Sequence, residues 1–110
     1  MRLPVRVALQ AEEDIFRQAA WYEDRARPGI VARFLAALEL RQFALANNPQ
    51  LGRPRHFRSP ALAGLRSLAL REGFGAHLLF YRLHRDEIEL VRVIHGARDL
   101  EAALLEPLGE

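Results

Sequence analysis

His95 closes the last run of β-branched residues, directly before Gly96, and has the chemistry to act as a general acid or base. An imidazole titrates near neutrality, so at a strand end it can give or take a proton. It can equally spend its nitrogens on the C-terminal tail. The other reactive side chains are arginines. Arg66 and Arg82 fall inside predicted strands, Arg71 just beyond one, and Arg98 just past the Gly96 break. A guanidinium is a planar fork suited to phosphate and carboxylate. If Arg66 and Arg82 share an open sheet face, they form a cationic floor for phosphates or for the acids of a protein partner; the alternative is an arginine snorkelling at a sheet edge. Arg53, Arg55, His56 and Arg58 sit together in a long loop, either as a contact surface or as its solvated face. Tyr81 lies mid-strand and reads as core or partner contact, not as an acid.

Other chemistries are excluded by what is missing. The chain has no cysteine, so it has neither a disulfide framework nor a thiolate nucleophile. His56, His77, His84 and His95 lack metal-ligand spacing with acids, and no phosphate-cradling glycine loop is present. Ser59 and Ser67 lack the context of an activated nucleophile. No metal and no cofactor is expected. The N-terminus carries no apolar targeting segment, and no apolar run is long enough to span a bilayer. A soluble cytoplasmic protein with no membrane partner and no small-molecule substrate is the expectation.

The net charge of +2 hides a strong asymmetry. Residues 51–85 hold seven arginines against one acid, a net +6, whereas residues 86–110 hold two arginines against seven acids, a net −5. All sixteen basic residues are arginine, which matches the codon bias of a GC-rich genome. The clustering is the informative part. A basic middle suits an anionic partner, either nucleic acid or an acidic protein segment.

The elements that must position these groups can be read from periodicity. Leu3–Leu9 alternates like a strand with one wet face. A first helix starts near Gln10 or Ala11, with Glu12, Glu13 and Asp14 in the turn where the helix dipole favours negative charge. Its apolar stripe is Ile15, Phe16, Ala19 and Tyr22, with Trp21 on the far side. A second helix runs from about Pro28 to Ala46, with Ile30, Val31, Phe34, Leu35, Leu38 and Leu45 on one stripe and Leu40 and Phe43 opposite. Asn47-Asn48-Pro49 stops it, and a loop follows over Gln50–Ala63. Then come a strand at Leu65–Leu70 and a hairpin, Gly75–Leu83 and Glu87–His95, with a short terminal helix over Asp99–Leu105. The reading is one α+β domain over residues 1–110, in the order β-α-α-β-β-β. A helical hairpin packs on one face of a four-stranded, mostly antiparallel sheet, and the first strand lies at an edge or beside the second. Both hairpin strands are apolar at both parities, so they expect cover on both faces. A small chain has little material for the second cover, which points to a partner.

Several segments then carry a resemblance in order and spacing. They are Ala20-Trp21-Tyr22-Glu23, Arg27-Pro28-Gly29, the Arg33–Glu39 run, Asn48-Pro49-Gln50-Leu51-Gly52-Arg53-Pro54, Gly64-Leu65-Arg66-Ser67-Leu68, Phe80-Tyr81-Arg82-Leu83 and His95-Gly96-Ala97-Arg98-Asp99. Together, from Val5 to Leu104, the chain resembles the RelE/ParE superfamily of bacterial toxins from type II toxin–antitoxin pairs. The resemblance implies a toxin held inactive by a cognate antitoxin. A ParE-like protein would inhibit DNA gyrase without catalysis. A RelE-like one would be a ribosome-dependent mRNA endoribonuclease, with His95 and Arg98 as its catalytic candidates. A third reading is a degenerate homologue that only binds its antitoxin. The His95–Asp99 ending and the thin acid–base set favour the ParE-like branch. Arg53, Arg66, Arg71, Tyr81, Arg82 and Arg98 are then the candidates for contact with target or antitoxin.

Overall fold

The computed structural model describes residues 2–25, 27–71, 73–96 and 99–107. The strands are β1 (Val5–Val7), β2 (Arg53–Pro54), β3 (Leu65–Ala69), β4 (His77–Leu83) and β5 (Ile88–His95). The helices are α1 (Leu9–Arg25), α2 (Ile30–Asn47) and α3 (Leu100–Leu105). They build one five-stranded sheet in the order β1-β5-β4-β3-β2, one strand more than the sequence predicts. The addition is β2, two residues of the long loop that pair antiparallel with β3 through Arg53–Ser67 and Pro54–Arg66. An edge is where a strand tolerates proline, which cannot donate to a ladder. β1 lies at the opposite edge, parallel to β5.

α1 and α2 cover one face. Phe34, Ala37, Leu38 and Leu45 of α2 and Ala11 of α1 pack on Leu79, Tyr81, Ile88 and Leu90 of the sheet. Burying a side chain such as Phe34 contributes about 1.5–3 kcal/mol. Two stripe assignments from the sequence are corrected. Phe16 is 77% exposed and Leu35 44%. Residues 11, 15 and 22 define the inward line of α1, and its neighbour at 16 is turned about 100° away. α2 begins at Ile30, after Gly29 in the left-handed region at φ 90°, so Pro28 lies in the preceding turn and not in the helix.

The second apolar face of the hairpin is covered in part by the chain itself, so the double apolar parity does not by itself call for a partner. Leu65 and Phe80 form a smaller core with Leu62, from the 3₁₀ turn Pro60–Leu62, and with Leu104 of α3. Glu101 of α3 accepts from the Ser59 N–H (2.7 Å) and the Arg58 N–H (3.3 Å), tying helix and loop together. A bulge accounts for the double apolar parity of β5. Tyr81 pairs with Leu90 but Phe80 pairs with Arg92. One residue is therefore extra, and Leu90 and Val93 both reach the helix-side core while Val91 and Ile94 face the smaller one.

Candidate functional site

β1 ends at Val7, so beyond Leu90 the outer edge of β5 has no strand neighbour there. α1 crosses this edge, and Asp14 takes the place of a strand. Its Oδ2 accepts the Val93 N–H at 2.9 Å and Arg92 Nε at 2.8 Å, and its Oδ1 accepts Arg92 Nη2 at 3.0 Å. The third Arg92 nitrogen, Nη1, donates to the Ala103 carbonyl of α3 at 3.1 Å. Arg92 is only 7% exposed. The hydrogen bond from Asp14 holds its pKa above the ordinary value, against the opposing effect of burial.

On this floor opens a cleft of about 400 Å³, lined by Arg17, Trp21, Tyr22, Arg92, His95 and Glu106 among others. His95 is exposed at its mouth. Behind it lies His77, 2% exposed, with ring centroids 4.7 Å apart in an edge-on arrangement. His77 Nε2 and the Tyr22 hydroxyl share a hydrogen bond of 2.8 Å. Burial, and then the neighbouring His95, push the His77 pKa down to about 4. Burial raises that of Tyr22. At neutral pH both are therefore uncharged, and the cleft offers an aromatic wall, a solvent-facing imidazole and the guanidinium of Arg17.

The arginines singled out in the sequence do not join His95. Arg66 pairs with Tyr81 and Arg82 with Leu65 across β3 and β4. Arg82 follows Tyr81 in one strand, so Arg66 and Arg82 point to opposite faces and form no common floor. Arg82 spends its guanidinium on the carbonyls of Ala63 (3.0 Å) and Ala61 (2.5 Å). Arg66 lies beside Tyr81 with a buried Nε that has no hydrogen-bond partner among the described residues. Tyr81 is fully buried and is a core residue, not a partner contact. Its hydroxyl donates to the Pro49 carbonyl and accepts the Gly52 N–H, both at 2.8 Å.

Arg53 is exposed, and Arg55 packs over Phe57 and Phe80 with its Nη1 donating to Ser67 Oγ at 2.9 Å. Burial, then Arg53, lowers the Arg55 pKa, as expected for two neighbouring cations. Together with Leu51, Ala69, Leu78 and Leu100 they line a shallow groove of about 450 Å³ on the face away from the helical hairpin. Arg71 is exposed at the end of β3; after burial, it is the second cause of the lowered Arg41 pKa. Arg98 lies outside the described residues. The sequence reading missed Asp14, Arg17, Tyr22, His77 and Arg92 as site residues. Only Arg92 left a signal, being a charge between Val91 and Val93 in a strand otherwise built for burial.

The family model for the ParE toxin of the type II toxin–antitoxin system parDE matches residues 5–100. The chain belongs to this family. No curated protein matches it. Two solved structures share the ParE fold seen here. One is a chain of the chromosomal ParDE system from P. aeruginosa, 17% identical, covering 87% of this chain and 98% of that one with a TM-score of 0.69. The other belongs to the RelBE2 toxin–antitoxin complex from Mycobacterium tuberculosis, 25% identical, covering 87% of this chain and 100% of that one with a TM-score of 0.58. The recognition of a RelE/ParE toxin on its ParE-like side therefore stands.

Proposed function

We propose that this ParE-family chain acts by binding DNA gyrase and blocking it, with no catalytic step of its own, and that a cognate antitoxin silences it in the cytoplasm. The observation that carries this reading is the separation of His95 from Arg53, Arg55, Arg66 and Arg82. A ribonuclease needs its proton-transfer group and its charge-stabilising cations around one phosphodiester. Here His95 opens into the cleft beside Arg17, with Arg92 bound by Asp14, whereas Arg66 lies two strands away on β3, Arg53 and Arg55 lie at the far edge around β2, and Arg82 is held by backbone carbonyls. The antitoxin is argued from charge and shape. An acidic, amphipathic segment fits the groove bounded by Arg53, Arg55, Leu78 and Leu100. It would fold on binding and bury more than about 1,000 Å² in total.

The alternative is a ribosome-dependent mRNA endoribonuclease of the RelE type, and its support is the solvent-facing imidazole of His95. One pair of assays separates the two: DNA supercoiling by purified gyrase, and cleavage of ribosome-bound mRNA, each with the purified chain. Inhibited supercoiling with intact mRNA is the expected result. In the same assays His95→Ala keeps its inhibition within a few-fold. Loss of a general acid or base would instead cost about 10²–10⁴-fold, and that result, with cut mRNA, overturns the gyrase reading.

A further inference from the structure

α2 is apolar on both sides, and the fold covers only one. Phe34, Ala37, Leu38 and Leu45 fill the core, while Leu35, Leu40 and Phe43 are 44%, 62% and 58% exposed. A helix that is apolar all round is one that expects cover all round. The outward residues Ala32, Ala36, Leu40 and Phe43 are spaced i, i+4, i+8 and i+11, and all are exposed. That spacing is a seam for a second helix, and its two alanines let another backbone approach closely.

We infer that a second copy of this chain docks on the seam, α2 against α2, antiparallel about a two-fold axis at Ala36. Charge favours a copy of the chain over a strongly acidic or basic partner. The helical hairpin, residues 9–47, holds six acids against five arginines, whereas the net +6 stretch of residues 51–85 builds β2, β3 and β4. An acidic segment is drawn to that stretch and not to α2. Arg33 and Glu39 flank the seam, each three residues from Ala36, and both are exposed, while Arg2 stacks over Phe43 at the seam's end. A two-fold at Ala36 brings Arg33 of each copy level with Glu39 of the other, so the face is complementary to itself. A partner of either single sign would set a like charge against one of them.

Sedimentation velocity at micromolar concentration reads the assembly directly. The purified chain sediments as a dimer, and Leu40→Glu sediments as a monomer with unchanged thermal unfolding, because Leu40 supports no part of the core. Cross-linking tests the geometry independently. The chain has no cysteine, so Ala36→Cys introduces a single thiol on the axis, within disulfide reach of its copy. Ala36→Cys oxidises to a covalent dimer, and Arg85→Cys, in the exposed turn between β4 and β5, does not. A monomeric wild type, a dimer that survives Leu40→Glu, or equal cross-linking at both positions overturns the inference. None of these outcomes depends on whether the target is gyrase or the ribosome.

Discussion

Asp14 shows how a residue's role is set by contacts that local sequence cannot display. In the chain it is the third of three acids opening a helix, and the helix dipole accounts for all three. In the fold Asp14 reaches the edge of β5, where it meets both Arg92 and the Val93 N–H. Removing one member of a buried ion pair leaves the other charge uncompensated, at about 3–5 kcal/mol, while replacing both with apolar groups is far milder. Asp14→Ala is therefore expected to lower the unfolding free energy by that amount in urea titration, and Asp14→Ala with Arg92→Met to cost less than Asp14→Ala alone. His77 supplies a second test. Its pKa falls from 6.5 in the unfolded chain to about 4 in the fold. The unfolded state thus takes up a proton first, and the contribution is complete above pH 6.5 and lost as pH falls from there to about 4. The shift corresponds to about 3 kcal/mol. Between pH 7.5 and 4.5, His77→Gln should lose less stability than the wild type, and parallel pH profiles would remove the assignment.

At the scale of elements, what was legible was what local periodicity encodes. The two helices, the hairpin and the short terminal helix all appear near their expected positions. β2 and the β5 bulge were not legible, because each exists only through a partner distant in sequence. The sequence predicts a long loop over Gln50–Ala63, either a contact surface or a solvated face. It is fastened at both ends, by Tyr81 near Gly52 and by Glu101 at Ser59. The glycine of the Leu51-Gly52-Arg53-Pro54 stretch is there for close approach as much as for turning. A Cβ at Gly52 would lie 2.7 Å from the Ser67 carbonyl oxygen and from the Tyr81 ring. Gly52→Ala is expected to destabilise the chain by about 1–3 kcal/mol through overpacking. Tyr81→Phe leaves a buried N–H and carbonyl unmet, for a cost of about 1–3 kcal/mol. Both variants should speed amide exchange at Arg55, whose N–H donates to the Leu65 carbonyl. Unchanged exchange with lowered stability would separate the Tyr81 anchor from the order of β2.

At the scale of the molecule, the arginines divide into those the fold uses and those it leaves to a partner. On entropy alone, arginines in strands rank above arginines in loops as partner contacts, because a rigid surface loses less on binding. The fold changes that ranking. Arg82 sits in a strand but holds the 3₁₀ turn through Ala61 and Ala63. Arg53, expected in a loose loop, is fixed in β2 by pairing with Ser67 and presents its guanidinium to solvent. Arg71 is likewise exposed. An arginine that makes a charge-assisted hydrogen bond to a partner contributes about 1.5–3 kcal/mol. Arg53→Ala and Arg71→Ala should therefore weaken gyrase or antitoxin binding about tenfold or more, with thermal unfolding unchanged. Arg98→Ala is expected to weaken target binding by roughly ten- to a hundredfold on the same ground. Arg82→Ala should do the reverse, lowering stability with a smaller direct effect on affinity. Salt adds an independent check, because exposed cations lose their attraction as ionic strength rises while a carbonyl-bound one is little screened. Raising salt should erode the affinity of the wild type and of Arg82→Ala alike, and should erode that of Arg53→Ala less. Equal salt slopes for wild type and Arg53→Ala would return Arg53 to the solvated surface.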